Sequence, residues 1–242
     1  MSRQPLALVV GAGDATGGAI ARRFAREGFT ACVTRRNKDS LTPLVQAIEA
    51  DGGKALAFGC DARSEEATVQ LFKQLEQDHG EVEVLVFNIG ANVFFGITDT
   101  TERVYRKVWE MGALAGFLAG REAARVMLPR KRGTIIFTGA TASIRGGSGF
   151  SAFASAKFAL RALAQSMARE LGPQGIHVAH SIIDGAIDTD FIRTTFPETY
   201  ALKDQGGILN PEHIAEQYWQ LHMQPRDCWT QELDLRPWME TF

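Results

Sequence analysis

Short apolar runs alternate along the chain with longer segments in which apolar residues recur at helical spacing. Continuous apolar runs are typical of parallel strands buried on both faces, and helices form the crossovers that such strands require. The alternation predicts an α/β fold with a doubly wound parallel sheet and helices on both faces. The predicted strands span residues 6–10, 30–34, 55–58, 84–87, 134–138 and 177–183, and the predicted helices span residues 18–27, 40–50, 65–79, 104–127 and 152–171.

Length and composition favour one domain. With 242 residues, of which 45% are hydrophobic, the chain can bury one sizeable core. We therefore predict a single domain over residues 1–242. The segment 188–207 is polar and contains glycine, and we predict that it is mobile and faces the substrate.

Charge and cysteine spacing argue against several classes of function. The formal net charge is -2 and no long Lys or Arg run occurs, which disfavours nucleic acid and anionic membranes as partners. No apolar run reaches membrane-spanning length and the chain does not begin with a signal-peptide layout, so we expect a cytoplasmic protein. Cys32, Cys60 and Cys228 lie far apart, which favours reduced structural thiols, and we predict no metal site.

A glycine-rich turn joins the first predicted strand to the first predicted helix. Glycines there let the backbone approach a pyrophosphate, and the free amides and positive dipole end of the helix bind that anion. Similar turns also occur for packing alone, and no Gly-Lys-Ser/Thr of a P-loop follows this one. Dinucleotide binding by a Rossmann fold is therefore one interpretation, and its candidate residues are Gly11, Gly13, Asp14, Ala15, Thr16 and Gly17.

Arg35 and Arg36 follow the second predicted strand, near the place of an adenosine ribose on this fold. An acidic side chain there would bond both ribose hydroxyls of NAD, whereas guanidinium groups pair bidentately with the 2′-phosphate of NADP. We therefore predict NADP as the cofactor, with NAD less favoured. In an alternative interpretation, the two arginines form a solvated loop pair. Asp14 also argues against NADP, because it places a negative charge beside the glycine-rich turn.

Further motifs make the chain resemble the short-chain dehydrogenase/reductase family over nearly its whole length. The segment Gly11-x-x-x-Ala15-x-Gly17 is similar to the family's Gly-x-x-x-Gly-x-Gly turn, with alanine at the middle glycine. The resemblance implies further cofactor-binding residues: Asp61 and Ala62 at the adenine, Asn88, Ile89 and Gly90 after the fourth strand, and Gly185 and Ile187 at the nicotinamide carboxamide.

The family's catalytic side chains are largely replaced. In the family, a tyrosine acts as acid or base, a lysine supports it and holds the ribose, a serine orients the substrate and an asparagine supports a proton relay. By the resemblance, these positions are Phe153, Lys157, Ala140 and Gly112. A phenylalanine ring has no hydroxyl and cannot transfer a proton. We therefore predict a degenerate catalytic site that keeps only the lysine.

Phe153 and Lys157 are four residues apart on a predicted helix, so they share one face and point toward the same cleft. Lys157 can bind ribose hydroxyls without a tyrosine, or it can be an exposed helix charge. Phe153 can also be an ordinary core residue.

Two other side chains are candidate proton donors. Asp184 stands where the family has proline, and a partly buried carboxyl beside an apolar cofactor ring can act as an acid. It can also be a turn residue before Gly185. Ser143 lies near the serine position, although a serine hydroxyl is a poor acid without a base.

Two functional hypotheses remain. In the first, the protein is an NADP-dependent oxidoreductase with an atypical acid, and it moves a hydride to or from a small carbonyl, alcohol or activated alkene. In the second, it is a catalytically inactive NADP-binding sensor or partner subunit, because a fold does not determine a function. The resemblance also implies a homodimer or homotetramer.

Overall fold

The computed structural model describes residues 4–241 and contains a seven-stranded sheet. Each neighbouring pair of strands is parallel. Their order is β3-β2-β1-β4-β5-β6-β7, so the winding reverses between β1 and β4 and leaves a crevice at the carboxyl ends of these two strands. The strands are β1 (Leu6–Val10), β2 (Thr30–Arg35), β3 (Lys54–Gly59), β4 (Val82–Phe87), β5 (Gly133–Thr138), β6 (Ile176–Ile183) and β7 (Glu232–Leu235).

Helices cover both faces of the sheet. In the part of the chain that the structure describes, no helix is both long and apolar enough to cross a membrane. The helices are α1 (Thr16–Arg26), α2 (Thr42–Ala50), α3 (Glu65–Gln74), α4 (Glu102–Trp109), α5 (Ala115–Met127), α6 (Ser151–Leu171), α7 (Asp190–Thr195), α8 (Pro197–Tyr200) and α9 (Pro211–Met223). One core packs α1, α2 and α9 against the sheet, and the core on the opposite face packs α3, α5 and α6.

Strand β1 shows why the strands are unbroken apolar runs in the sequence. Ala7 and Val9 belong to the core under α1 and α9, whereas Leu6, Leu8 and Val10 belong to the core under α5 and α6. Successive side chains of a strand point to opposite faces, and both faces of this strand are covered. Every position of β1 must therefore be apolar.

The fold class predicted from the sequence is confirmed, and each predicted strand overlaps an observed one. The sequence did not reveal β7 or helices α7 to α9. Strand β7 has only four residues, Glu-Leu-Asp-Leu, at the edge of the sheet, so it forms no apolar run. The predicted helix 104–127 is interrupted between α4 and α5 by a π-helical segment at Glu110–Leu114.

The segment 188–207 contains the short helices α7 and α8. Lys203 Nζ lies 2.8 Å from Asp188 Oδ2. The indole of Trp238 donates a hydrogen bond of 3.0 Å to the carbonyl of Gln205. Mobility of this segment stays a prediction, and so does the single domain, whose predicted bounds at residues 1 and 242 lie outside the described residues.

The turn after β1 brings three backbone segments into contact. Gly11 has a left-handed φ of 87°, which favours glycine. A Cβ built on Gly17 would lie 2.7 Å from the carbonyl oxygen of Gly11 and 2.9 Å from the Cα of Ala12. Asn88, which follows β4, donates its side-chain amide to the same Gly11 oxygen at 3.2 Å. The end of β1, the start of α1 and the end of β4 are thus held together at one oxygen.

We expect Gly17→Ala to lower the free energy of unfolding by roughly 1–3 kcal/mol, because the added methyl group meets backbone atoms that no side-chain rotation can move. Gly90→Ala is the matched control in the same loop cluster, since a Cβ built there meets no atom within 4 Å. Its effect should stay within about 0.5 kcal/mol. Urea unfolding measures both variants, and equal midpoints would contradict the steric argument.

Candidate active site

A cavity of about 670 Å³ lies at the carboxyl ends of the central strands, where the winding of the sheet reverses. Ligands of open α/β sheets bind at such reversals. The structure brings most of the predicted cofactor-binding residues together on its wall: Gly11, Gly13, Asp14, Ala15, Thr16, Gly17, Asn88, Ile89, Gly90, Lys157, Gly185 and Ile187.

A second cavity of about 650 Å³ adjoins the first one. Both are lined by Gly11 and by the segment from Asn88 to Gly90, so the two cavities adjoin along this shared wall and together are called the groove. The second cavity is lined by the remaining predicted cofactor-binding residues, which are Arg35, Arg36, Asp61 and Ala62. Every predicted cofactor-binding residue therefore borders this groove.

The start of α1 is suited to an anion. Within the described residues, no side chain caps this helix at Ala15, and its first turn contains no acidic residue. The first N–H groups of a helix have no intrahelical acceptor, and the helix dipole adds positive potential at this end. Asp14 is exposed beside the turn. The N-terminal amides of α1 thus fit the pyrophosphate of a dinucleotide.

Guanidinium groups surround the far end of the groove. Arg35 and Arg36 are exposed, and a Cβ built on Gly13 would lie 3.6 Å from Arg35 Nη2, so this guanidinium lies beside the glycine-rich turn. Arg63, which the sequence did not single out, donates to both carboxylate oxygens of Asp61 at 2.9 and 2.6 Å. These hydrogen bonds from Arg63 lower the pKa of Asp61. The sequence signal for this ion pair is an arginine two residues after Asp61.

Lys157 projects from α6 into the other end of the groove. Its side chain is only 2% exposed, so the interpretation of an exposed helix charge is wrong. Its Nζ donates to the carbonyl oxygen of Thr138 at 2.8 Å and to that of Ile89 at 3.2 Å. Burial lowers the pKa of Lys157 to about 8 from an ordinary value of 10.5. The carbonyls at the ends of β5 and β4 thus fix the ammonium group on the cavity wall.

Phe153 both lines the cavity and packs as a core residue. Its ring lines the cavity and packs in a small apolar cluster with Ala152 and Ala156. The Nζ of Lys157 lies 5.9 Å from the centre of this ring. The predicted shared helix face is therefore present, with an aromatic ring and no hydroxyl beside the lysine.

Gly112 and Ala140 occupy two further positions of the expected catalytic set. Ala140 lines the cavity, and its N–H donates to Ser143 Oγ at 3.1 Å. Gly112 lies in the π-helical segment before α5, where a Cβ built on it would lie 2.9 Å from the Cβ of Ala156. An asparagine at position 112 would therefore require α6 to shift.

Ser143 and Asp184, the predicted alternative proton donors, do not line the cavity, and both are 0% exposed. Ser143 Oγ accepts the hydrogen bond from Ala140 behind the wall. Asp184 Oδ1 accepts hydrogen bonds from Thr141 at 2.6 Å and from Arg145 at 3.2 Å. Both side chains therefore lie behind the cavity wall, where solvent does not reach them, and a role for either one as proton donor stays a prediction.

Arg145 and Asn92 are polar residues of the cavity wall that the sequence did not single out. Arg145 follows Ala140 by five residues in a glycine-containing loop, and no local motif marks it. Phe150, on the same loop, adds an aromatic surface to the wall. The wall thus combines two cationic side chains, from Lys157 and Arg145, with two phenylalanine rings.

Comparison with known proteins agrees with this geometry. Residues 5–199 match the family model described as short chain dehydrogenase. Human dehydrogenase/reductase SDR family member 4 is 31% identical over 231 residues, which cover 93% of this chain and 80% of the relative.

Solved structures show the same fold. The crystal structure of a short-chain dehydrogenase from Rhodopseudomonas palustris is 50% identical, with a TM-score of 0.84, and the alignment covers 98% of this chain and 100% of the other. A metagenomic short-chain oxidoreductase crystallised with NADP is 24% identical, with a TM-score of 0.80 and 98% coverage of both chains, and supports the fold alone. With the family match over most of its length, the chain belongs to the short chain dehydrogenase family of NAD(P)-binding oxidoreductases.

Proposed function

We propose that this protein is an NADP-dependent oxidoreductase that transfers a hydride between the nicotinamide and a small carbonyl, alcohol or activated alkene. The observation that carries the proposal is the groove of two adjoining cavities, one lined by guanidinium groups and the other by Lys157. Its two parts have volumes of about 670 and 650 Å³, each within the usual range of small-molecule sites.

Three arginines support NADP over NAD. Arg35, Arg36 and Arg63 line the end of the groove where an adenosine ribose would lie. The acidic group in this part, Asp61, is paired with Arg63, so it is not free to bond the ribose hydroxyls of NAD. A 2′-phosphate is a dianionic group that guanidinium forks bind well.

The remaining contacts follow from the position of each residue in the groove. The amides at the start of α1 would hold the pyrophosphate, and Ala62 beside Asp61 would face the adenine. Lys157 would hold the nicotinamide ribose, and Gly185 with Ile187 would hold the carboxamide. When bound, NADPH supplies the hydride, because the redox chemistry belongs to the cofactor.

Lys157 is the proton donor that best fits the wall. Phe153 and Ala140 have no side-chain hydroxyl there, and Asp184 and Ser143 are buried behind it. In the reduction of a carbonyl, an N–H bond of Lys157 breaks, and an O–H bond forms as the substrate carbon gains the hydride. An acid whose pKa is about 8 is well matched to this transfer near neutral pH.

The degenerate catalytic set also supports a second candidate, an inactive NADP-binding sensor or partner subunit. Phe153, Ala140 and Gly112 all lack the polar groups that the family uses. Turnover of NADPH in the presence of aldehydes and ketones separates the two candidates, because the sensor binds the cofactor without consuming it.

Assembly as a homodimer or homotetramer remains part of the proposal. Helices α4, α5 and α6 each expose large apolar side chains, among them Trp109, Phe117 and Phe158. Large apolar side chains that are exposed on the helices of a monomer are often covered in an oligomer.

We expect the protein to bind NADPH more tightly than NADH. Arg35→Ala should weaken NADPH binding on the order of tenfold to a hundredfold, because charge-assisted hydrogen bonds to the 2′-phosphate are lost, and should leave NADH binding unchanged. Arg26→Ala removes an exposed arginine of α1 outside the groove and is the control. Fluorescence titration measures the affinities of the natural protein and of both variants for NADPH and for NADH. Equal affinity of the natural sequence for the two cofactors would refute the role of Arg35.

Lys157→Met should change how stability depends on pH. Between pH about 8 and 10.5, the unfolded chain holds a proton on this lysine that the folded protein lacks, so the contribution of Lys157 to stability rises with pH. The stability of the natural protein relative to the variant should rise by up to about 3 kcal/mol across this range. Urea unfolding at several pH values measures the difference. A difference that does not vary with pH would show that Lys157 is not buried with a lowered pKa.

The same lysine should govern the pH dependence of turnover. Because the acid must carry its proton, carbonyl reduction should fall as the pH rises through about 8, and Lys157→Met should abolish it. Initial rates of NADPH oxidation with saturating cofactor provide the measurement. Turnover that survives Lys157→Met with an unchanged pH profile would assign the proton to another group.

Restoring the hydroxyls should raise activity. In the double variant Phe153→Tyr with Ala140→Ser, both new hydroxyls face the cavity, and we expect carbonyl reduction to increase roughly a hundredfold or more, as for a positioned general acid. Phe158→Tyr adds a hydroxyl to an exposed ring of the same helix and is the control. If the double variant does not exceed the natural protein and the Phe158→Tyr control, the wall does not position a carbonyl as we propose.

A further inference from the structure

Arg145, five residues after Ala140, adds a guanidinium group to the cavity wall. Arg145 lines the cavity together with Ala140 and Phe153, and its side chain is 39% exposed. In the part of the chain that the structure describes, its polar contacts run through Nη2. A guanidinium carries five N–H donors in a planar fork, so donors of Arg145 remain available to a ligand.

Asp184 fixes the direction of this guanidinium. Its carboxylate is 0% exposed and accepts from Arg145 at 3.2 Å and from Thr141 at 2.6 Å. Its backbone N–H donates to the carbonyl of Leu235 in β7 at 2.8 Å, and Arg236 Nη2 lies 3.4 Å from Oδ2. The carboxylate that orients Arg145 is therefore fixed by contacts with the segment after β5, with Arg236 after β7 and with β7 itself. This role explains an aspartate at a position where the family resemblance leads one to expect proline.

Glu240 provides the second contact of Arg145, and this contact is weak. The distance from Arg145 Nη2 to Glu240 Oε1 is 3.9 Å, which exceeds the length of a hydrogen bond, and the glutamate side chain is 30% exposed. An exposed ion pair at this separation contributes little. A carboxylate that entered the cavity could therefore pair with Arg145 at small cost.

The surface beside Arg145 is aromatic. Phe150 and Phe153 line the cavity, and Phe94 packs edge-on against Phe150 with 5.2 Å between ring centres. Phe94 is 67% exposed. Phe94 therefore extends the aromatic surface of the wall beyond Phe150.

We propose that Arg145 binds a carboxylate group of the substrate, and that an apolar, aryl-sized body of the same substrate packs against Phe150 and Phe153. The substrate class is an oxo acid or the corresponding hydroxy acid. This assignment rests on the proposed function, because the reacting carbonyl must face the nicotinamide. With no hydroxyl at Ala140 or Phe153 to hold that carbonyl, the paired carboxylate orients the substrate from its other end.

Two probes of matched shape test the assignment. Benzoylformate has a phenyl ring, a ketone and a carboxylate, and 1-phenylpropane-1,2-dione replaces the carboxylate with a neutral acetyl group. Isothermal titration with the NADP⁺-saturated protein should show benzoylformate binding at least about tenfold more tightly than the dione. Equal affinity for the two probes, or no binding of benzoylformate, would overturn the assignment.

Substitutions of Arg145 localise the effect. Arg145→Gln should weaken benzoylformate binding on the order of tenfold to a hundredfold and leave the dione unaffected, and Arg145→Lys should fall between, because it keeps the charge and loses the fork. Arg193→Gln is the matched control: it removes one positive charge from α7, outside the cavity wall. Circular dichroism melting confirms that each variant is folded. Unchanged benzoylformate binding in folded Arg145→Gln and Arg145→Lys would refute the role of Arg145.

The failure of this assignment can be told apart from failure of the proposed function. NADPH titration of Arg145→Gln should give the affinity of the natural protein, because Arg145 lies away from the guanidinium end of the groove. Loss of benzoylformate binding with intact NADPH binding supports the assignment. If the natural protein binds no NADPH, the proposed function fails, and Arg145-dependent binding of benzoylformate to the cofactor-free protein then still decides whether Arg145 is an anion site.

Discussion

The carbonyl oxygen of Gly11 is the contact on which the groove depends. Gly17 approaches it so closely that a Cβ at position 17 would lie 2.7 Å away, and the amide of Asn88 donates to it from the other side at 3.2 Å. This single oxygen sets the spacing of β1, α1 and β4. Because the winding of the sheet reverses between β1 and β4, the same contact fixes the crevice and aims the uncapped start of α1 into it.

A ligand in this crevice accounts for the burial of a charged lysine. Lowering its pKa from 10.5 to about 8 corresponds to about 3 kcal/mol of unfavourable burial of the charged form. Two carbonyl oxygens, from Thr138 and Ile89, offset part of that cost. A methionine would fill the same volume without a charge, so packing alone does not account for Lys157. A ligand that accepts hydrogen bonds or protons from the ammonium does, and the proposed ribose and carbonyl contacts supply such a ligand.

The sequence predicts what is local and misses what depends on distant contacts. Strands buried on both faces form unbroken apolar runs, and the spacing of Phe153 and Lys157 places them on one helical face, so these features were predicted. The partners of Asp184 were not predicted. Arg145 is 39 residues away in the sequence, and Arg236 directly follows β7, a strand of four residues that forms no apolar run. The sequence suggested an acid at Asp184, where the fold builds a paired carboxylate.

The three positions where the family resemblance predicts a tyrosine, a serine and an asparagine differ in their surroundings. Phe153 and Ala140 face the cavity, so a hydroxyl added to either would enter the space where a substrate lies. Gly112 is closed by the Cβ of Ala156, at 2.9 Å from a built Cβ, so the relay asparagine cannot be restored without moving α6 against α5. A protein that had merely lost its hydroxyls would not need this close helix contact. The packing at Gly112 therefore argues against a proton relay through this position, and under the proposed function a proton for Lys157 enters from the cavity that this lysine lines.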